Sequence, residues 1–219
     1  MTIASVREQI KDEIRQRQHE APLDERLDTP EGQELLTFMR EIMDNAVKIV
    51  EGNDEAQGFM FAPGTDDKKG VIIPLRWKDN EEKMQMLTMA RLILLANGST
   101  HYVHITEAWG CREEHYDPEI RNADNPYRVE ILMCVGVSRN FKIAIQKELF
   151  VDANGDRATR DADWLGKRQA KGDKYPDVLE TGGLLTELLP PEGLTLPEEV
   201  GQKLLAAFQP IDISKKFAN

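Results

Sequence analysis

Three strand-like segments follow one another between Thr100 and Val151, and they constrain the fold more than any other feature of the chain. Thr100–Trp109, Tyr127–Val137 and Phe141–Val151 are rich in β-branched and aromatic residues and alternate in polarity, as half-buried strands do. In the second segment Val129, Ile131, Met133, Val135 and Val137 share one side. In the third, Phe141, Ile143, Ile145, Leu149 and Val151 share another. A one-residue slip in pairing would turn one of these sets outward, so the turn should join like to like. That requirement pairs Val137 with Phe141 and leaves Ser138-Arg139-Asn140 as a three-residue loop.

Helices frame these strands. Thr29-Pro30 opens one, with a capping hydroxyl followed by proline at the first helical position. Leu35, Leu36, Phe38, Met39, Ile42, Met43, Ala46, Val47 and Val50 give it a broad apolar side, and Gly52 ends it. A second helix starts at Asn80 and runs through "KMQMLTMARLILLANG", apolar nearly all round towards its end. Between them "GFMFA" and "GVIIPLRW" flank a polar tip and predict a hairpin whose second arm, holding Pro74, lies at an edge. Residues 2–19 predict a helix with a narrow stripe of Ile3, Val6, Ile10 and Ile14, suited to docking on a neighbour. Beyond Asp152 the chain is rich in Asp, Gly, Pro and Lys, with Asn154-Gly155 as a turn signal and a short helix opened by Pro197-Glu198-Glu199.

The organisation expected is an N-terminal helix and linker over 1–28, a core domain over 29–151, and an extension over 152–219 on or beside that core. The fold class is α+β, an antiparallel meander with the two main helices on one face. Net charge is −11, but basic and acidic residues are interspersed, which gives no basic face for nucleic acid. No apolar run approaches a membrane span, and no apolar leader opens the chain. Cys111 and Cys134 are too few for a disulfide framework, which fits a reducing cytoplasm and two free thiols.

Chemistry concentrates in "STHYVHITEAWGCREEHYD", Ser99–Asp117. His101, His104, Cys111 and His115 have zinc-ligand chemistry. However, His101 and His104 stand three apart on a strand and so point to opposite faces. A lone His104-x-Thr106 lacks the second copy that two-histidine phosphoester chemistry needs. The expected hairpin register sets Glu130 opposite Glu148, near His104 and Cys134, which makes these four the candidate catalytic residues. Arg128 and Lys142 on the same face are the structural alternative, as neutralising cations. Glu107, between Ile105 and Trp109, is a carboxylate in a row of core positions and calls for a cation, with Arg128 the expected partner. "DANGDRATRDAD" places Asp152, Asn154 and Asp156 like a calcium loop, but Arg157 stands where glycine is required, so a β-turn is expected. No cofactor motif is present in the sequence.

Thr106-Glu107-Ala108-Trp109, followed by "DPEIRNADNPYR" and Arg128-Val129-Glu130, resembles a loose group of uncharacterised bacterial and phage-encoded proteins. Those proteins share a Ser/Thr-Glu-Ala-Trp strand, and the resemblance covers about residues 84–150. It implies a shared sheet rather than a reaction. The function expected is therefore a non-enzymatic interaction or assembly protein, phage or mobile-element encoded, binding a protein partner or itself through the N-terminal helix. The alternative is a small hydrolase or metal-dependent enzyme using the second face of the sheet.

Overall fold

The computed structural model describes residues 22–52, 58–64, 70–115, 117, 119–162 and 174–208. The expected N-terminal helix lies outside them, apart from its linker. Among the described residues are helices α1 (Leu23–Leu27), α2 (Pro30–Glu51), α3 (Asn80–Ala96) and α4 (Glu198–Phe208). The strands are β1 (Phe59–Pro63), β2 (Gly70–Pro74), β3 (Tyr102–Cys111), β4 (Arg128–Val137), β5 (Lys142–Val151), β6 (Arg157–Asp161) and β7 (Val178–Glu180). They form one antiparallel sheet of order β2-β1-β3-β4-β5-β6, with β7 beside β6 on the outer edge of β5. The class is α+β. No helix among the described residues is long and apolar enough to cross a membrane.

Local chemistry explains where the elements begin. Thr29 caps α2, its Oγ1 accepting from the Gly32 N–H at 3.2 Å, with Pro30 just inside. Asp79, one residue before the expected Asn80, caps α3 by accepting from the Glu82 N–H at 2.9 Å. The Glu82 carboxylate in turn accepts from the Lys78 N–H. β2 is an edge strand, as Pro74 requires. From β2, α3 crosses over β1 to deliver the chain to β3. The meander proper is β3 to β6.

The β4–β5 register differs from expectation by one residue. Val137 pairs with Lys142, not Phe141, and Gly136 pairs with Ile143. The turn has four residues, closed by the Ser138 N–H donating to the Phe141 carbonyl at 2.8 Å. The cause is the placement of the helices. Both were expected on one face of the sheet; they lie on opposite faces. Leu35, Leu36, Met39, Ile42 and Met43 of α2 pack on Val103, Ile105, Leu132, Cys134, Ile143 and Ile145. Leu87, Ala90, Ile93 and Leu94 of α3 share the other core with Met60, Ile73, Tyr102, Val135 and Val137. With both faces covered, each apolar set has its own core, and like need not pair with like. The sheet is the middle of three layers.

Gly136 fits the α2 side closely, because a Cβ there would stand 2.3 Å from Met39 Sδ. The segment expected as an extension belongs to the sheet and both cores. It supplies β6 and β7, with Tyr175 and Val178 in one core and Leu188 in the other. Tyr175 also ties it to the start of α2, donating to Asp28 Oδ1 at 2.6 Å and accepting from Gln33 Nε2 at 2.7 Å.

Candidate functional site

Residues opposite each other in an antiparallel pair share a face, so the register decides which side chains meet. Glu130 pairs with Leu149, and Glu148 pairs with Ile131. The two carboxylates therefore lie on opposite faces, and the expected acid pair does not form. His104 pairs with Val135 on the α3 face, while Cys134 pairs with Ile105 on the α2 face. The four candidate catalytic residues are thus divided two and two.

Each is also differently engaged. Cys134 is fully buried, with its Sγ 3.5 Å from the Met39 carbonyl, and burial pushes its thiol far up. His104 is 1% exposed, and neither ring nitrogen has a hydrogen-bond partner. Burial lowers its pKa to about 4, so the ring stays neutral near pH 7. Glu148 is buried at 6% exposure, bonded to Arg160 from β6 and 3.7 Å from Arg112. Arg160 also lies over the Phe150 ring.

The weaker metal candidates are scattered too. His101 lies on the α2 side, edge-on to Phe38 at 6.1 Å, and burial lowers its pKa against the opposing pull of Glu34 and Glu31. Cys111 is buried ten residues further along, about 33 Å away on an extended chain. Burial, aided by the charge of Glu114, pushes its thiol up. His115 stacks on Tyr127 at 4.2 Å. Among the described residues, no three His, Cys, Asp or Glu side chains are grouped as a metal ion would need. The Asp152–Asp156 loop is a tight turn. Asp152 Oδ1 accepts from the Asn154 and Asp156 N–H groups, and Gly155 supplies a φ of 90°.

Glu107 is neutralised, but not by Arg128. Arg157, from β6, grips it with two hydrogen bonds of 3.1 and 3.0 Å and reaches Glu130 at 3.2 Å. This bidentate geometry is the strong form of a carboxylate–guanidinium pair. Arg128 instead lies over the Trp109 ring, 4.6 Å from its centroid, and donates to the Ala123 carbonyl at 2.6 Å. Sequence reasoning missed Arg157 and Arg160 because it took their segment as a turn. The available signal was the Asn154-Gly155 dipeptide, which starts a strand as readily as it ends one.

These contacts build a surface at one end of the sheet. Trp109 remains 41% exposed beneath Arg128, and Tyr127, 59% exposed, carries the stacked His115. The loop between β3 and β4 is tied down around them. Asn125 Nδ2 donates to the His115 carbonyl at 2.9 Å, its Oδ1 accepts from the Tyr127 N–H at 2.8 Å, and Arg121 pairs with Asp124. Ile120 is also exposed. Aromatic and arginine side chains held in fixed positions, with apolar area left open, are what protein partners anchor on.

A groove of about 400 Å³ lies between the C-terminal end of α3, α4 and residues 190–196. Its polar groups serve the fold. Asn97 donates to the Pro63 carbonyl and to Ser99, and Arg139 donates to the Pro190 carbonyl and pairs with Glu192. Comparison of the chain with protein-family models, curated proteins and solved structures found no match.

Proposed function

We propose that this is a non-enzymatic interaction or assembly protein that works by binding another protein chain. The Arg128–Trp109 platform and the Tyr127–His115 stack beside it carry this reading. A tryptophan of β3 is left open under a guanidinium, beside a loop pinned by three hydrogen bonds and one ion pair. Pre-organised anchors of this kind lose little entropy on binding. The resemblance of the Thr106–Trp109 strand to bacterial and phage-encoded proteins makes a phage or mobile-element origin part of the same reading. The hydrolase alternative loses its support once Glu130 and Glu148 stand on opposite faces.

The test is affinity capture from the native host, read by mass spectrometry, with the intact chain and with Trp109→Ala/Arg128→Ala. A partner held by the intact chain and lost by the variant supports the proposal. Identical captures from both chains, or no specific capture by either, would overturn it.

A further inference from the structure

The sequence holds two Asn-Gly pairs, Asn97-Gly98 and Asn154-Gly155. Asparagine is a chemically labile residue, and glycine after it removes the main steric bar. With no Cβ in the way, the glycine nitrogen can reach the carbonyl carbon of the asparagine side chain. The fold treats the two pairs differently. Asn97 caps the C-terminal end of α3, and its half-buried amide donates to Ser99 Oγ at 2.8 Å and to the Pro63 carbonyl at 3.1 Å. Ser99 is itself buried. The main chain is held as well, with the Asn97 N–H on the Ile93 carbonyl at 2.8 Å and the Gly98 N–H on the Leu95 carbonyl at 3.2 Å. Turning this amide onto Gly98 would break bonds that tie α3 to β1, at the cost of unmade hydrogen bonds in a half-buried place.

Asn154 is open. It lies at the tip of the turn between β5 and β6, exposed together with Ala153, Gly155 and Asp156. A Cβ placed on Gly155 would meet nothing within 4 Å. The Asn154 N–H donates to Asp152 Oδ1 at 2.8 Å, its side-chain amide to Asp152 Oδ2 at 3.3 Å, and the Gly155 N–H to the Asp152 carbonyl at 3.1 Å. All three bonds end on one residue of an exposed turn, so releasing them is a local event that leaves both cores intact. We propose that Asn154 is a site of spontaneous covalent modification, converting to isoaspartate and aspartate in the folded chain, and that Asn97 is spared.

The Gly155 nitrogen gives its proton to solvent base and bonds Asn154 Cγ. The Cγ–Nδ2 bond breaks, and the nitrogen takes a proton from water and leaves as ammonia. Water then opens the cyclic imide. Attack at Cγ gives aspartate; attack at the main-chain carbonyl gives isoaspartate, whose backbone runs through the former side chain. Nothing is oxidised or reduced, and water is the one co-reactant. Both products carry a new carboxylate where the amide donated to Asp152. The Asp156 and Asn154 N–H groups hold the Asp152 carboxyl below its ordinary range, so the new charge meets an anion. Isoaspartate also lengthens the main chain inside a turn that the Asp152 N–H closes on the Asp156 carbonyl at 2.9 Å. β6 starts at Arg157, the residue that holds Glu107 and Glu130. Conversion therefore loosens the strand that brings this cation to the α2 face.

The test incubates the folded full chain, and the same chain unfolded in urea, in warm and mildly alkaline buffer. Peptide mass spectrometry, with fragmentation that separates isoaspartate from aspartate, follows both pairs. In the folded chain the peptide holding Asn154 should gain the mass of an amide-to-acid exchange, with isoaspartate among its products, while the peptide holding Asn97 stays unchanged. In urea both should convert. An intact Asn154 in the folded chain, conversion of Asn97 at the same rate, or aspartate without isoaspartate would each overturn the proposal. So would an Asn97 that stays unconverted in urea, since its contacts would then not be what protects it. The converted pool, separated by its added charge on ion exchange, should melt about 2–4 °C below the unconverted chain. Asn154→Asp adds the charge without lengthening the main chain, and it should melt between the two. A converted pool that melts with the unconverted chain would overturn the effect on β6.

Discussion

α2 and α3 cover the two faces of one sheet and do so on different terms. Both bury a continuous apolar side, but their outer sides have little in common. That of α2 carries Glu31, Glu34, Arg40, Glu41, Asp44 and Lys48, an ordinary solvated face. That of α3 is uncharged from Met84 to Met89, where Met84, Gln85, Thr88 and Met89 are exposed, and apolar again at Leu92. The polar groups beneath them differ as well. On the α2 side, Glu107 and Glu130 share Arg157. On the α3 side, His104 is buried with both nitrogens unpartnered. The α2 layer is finished by its own residues. The α3 layer carries a buried polar group at a cost and leaves Met84, Met89 and Leu92 exposed on its outer side.

The sharpest way to break this comparison is to ask whether the two inner sides are equivalent. Met39 and Leu94 are both fully buried, one under each helix. Met39→Ala and Leu94→Ala should each destabilise the fold by about 2–5 kcal/mol in denaturant unfolding, through lost burial and a residual cavity. If Leu94→Ala costs under about 1 kcal/mol, α3 is a loosely attached cover rather than a core layer. The contrast would then run through the whole helix instead of its outer side alone.

His104 comes next in size. The folded chain holds its pKa at about 4, against an ordinary 6.5 in the unfolded chain. Between those values the unfolded state binds the proton and the folded state does not, so stability falls as pH drops through that window. A shift of that size corresponds to about 3 kcal/mol lost between pH 6.5 and 4, and none gained above it. His104→Leu removes the titrating group and the two unpartnered nitrogens while keeping similar bulk. It should raise stability near neutral pH and flatten this part of the pH profile. An unchanged acid slope in urea titrations from pH 7 to 4 would show that His104 contributes nothing to it, and the α3 side would lose its distinguishing cost.

The same contrast explains how far the sequence could be read. The positions of β1 to β5, the α2 cap at Thr29 and the edge position of Pro74 follow from local chemistry, and the structure matches them, whereas β6 and β7 were not expected. The register did not follow, because alternation was taken to mean one buried face. "ILMCVGV", residues 131–137, is apolar at consecutive positions, and that run is the mark of a strand covered on both sides. Leu132 and Cys134 go to α2, while Val135 and Val137 go to α3. That single misjudged layer also produced the Glu130–Glu148 pair. Glu107 was identified as an acid in need of a cation, but its partner was not. Arg157 arrives from a strand fifty residues on, and nothing local to Glu107 points to it.

Arg157 therefore offers the finest test of the finished side. It bonds Glu107 through both nitrogens and Glu130 through one, with Arg157 and Glu107 each about one-fifth exposed. Breaking a fully buried ion pair costs about 3–5 kcal/mol, and exposed pairs contribute about 1 or less. Partial exposure places Arg157→Met between them, at about 1–2 kcal/mol in thermal or denaturant unfolding. Adding Glu107→Gln to Arg157→Met should recover part of that loss, because the amide removes the charge left behind while keeping the shape. The recovery measures how much of the cost is an unneutralised carboxylate rather than lost packing by the arginine stem. If the double variant is no more stable than the single, Arg157 acts mainly as an apolar strut between β3 and β6. Glu107 would then not depend on the cation that reaches it, and this part of the α2 face would be held by packing rather than by charge.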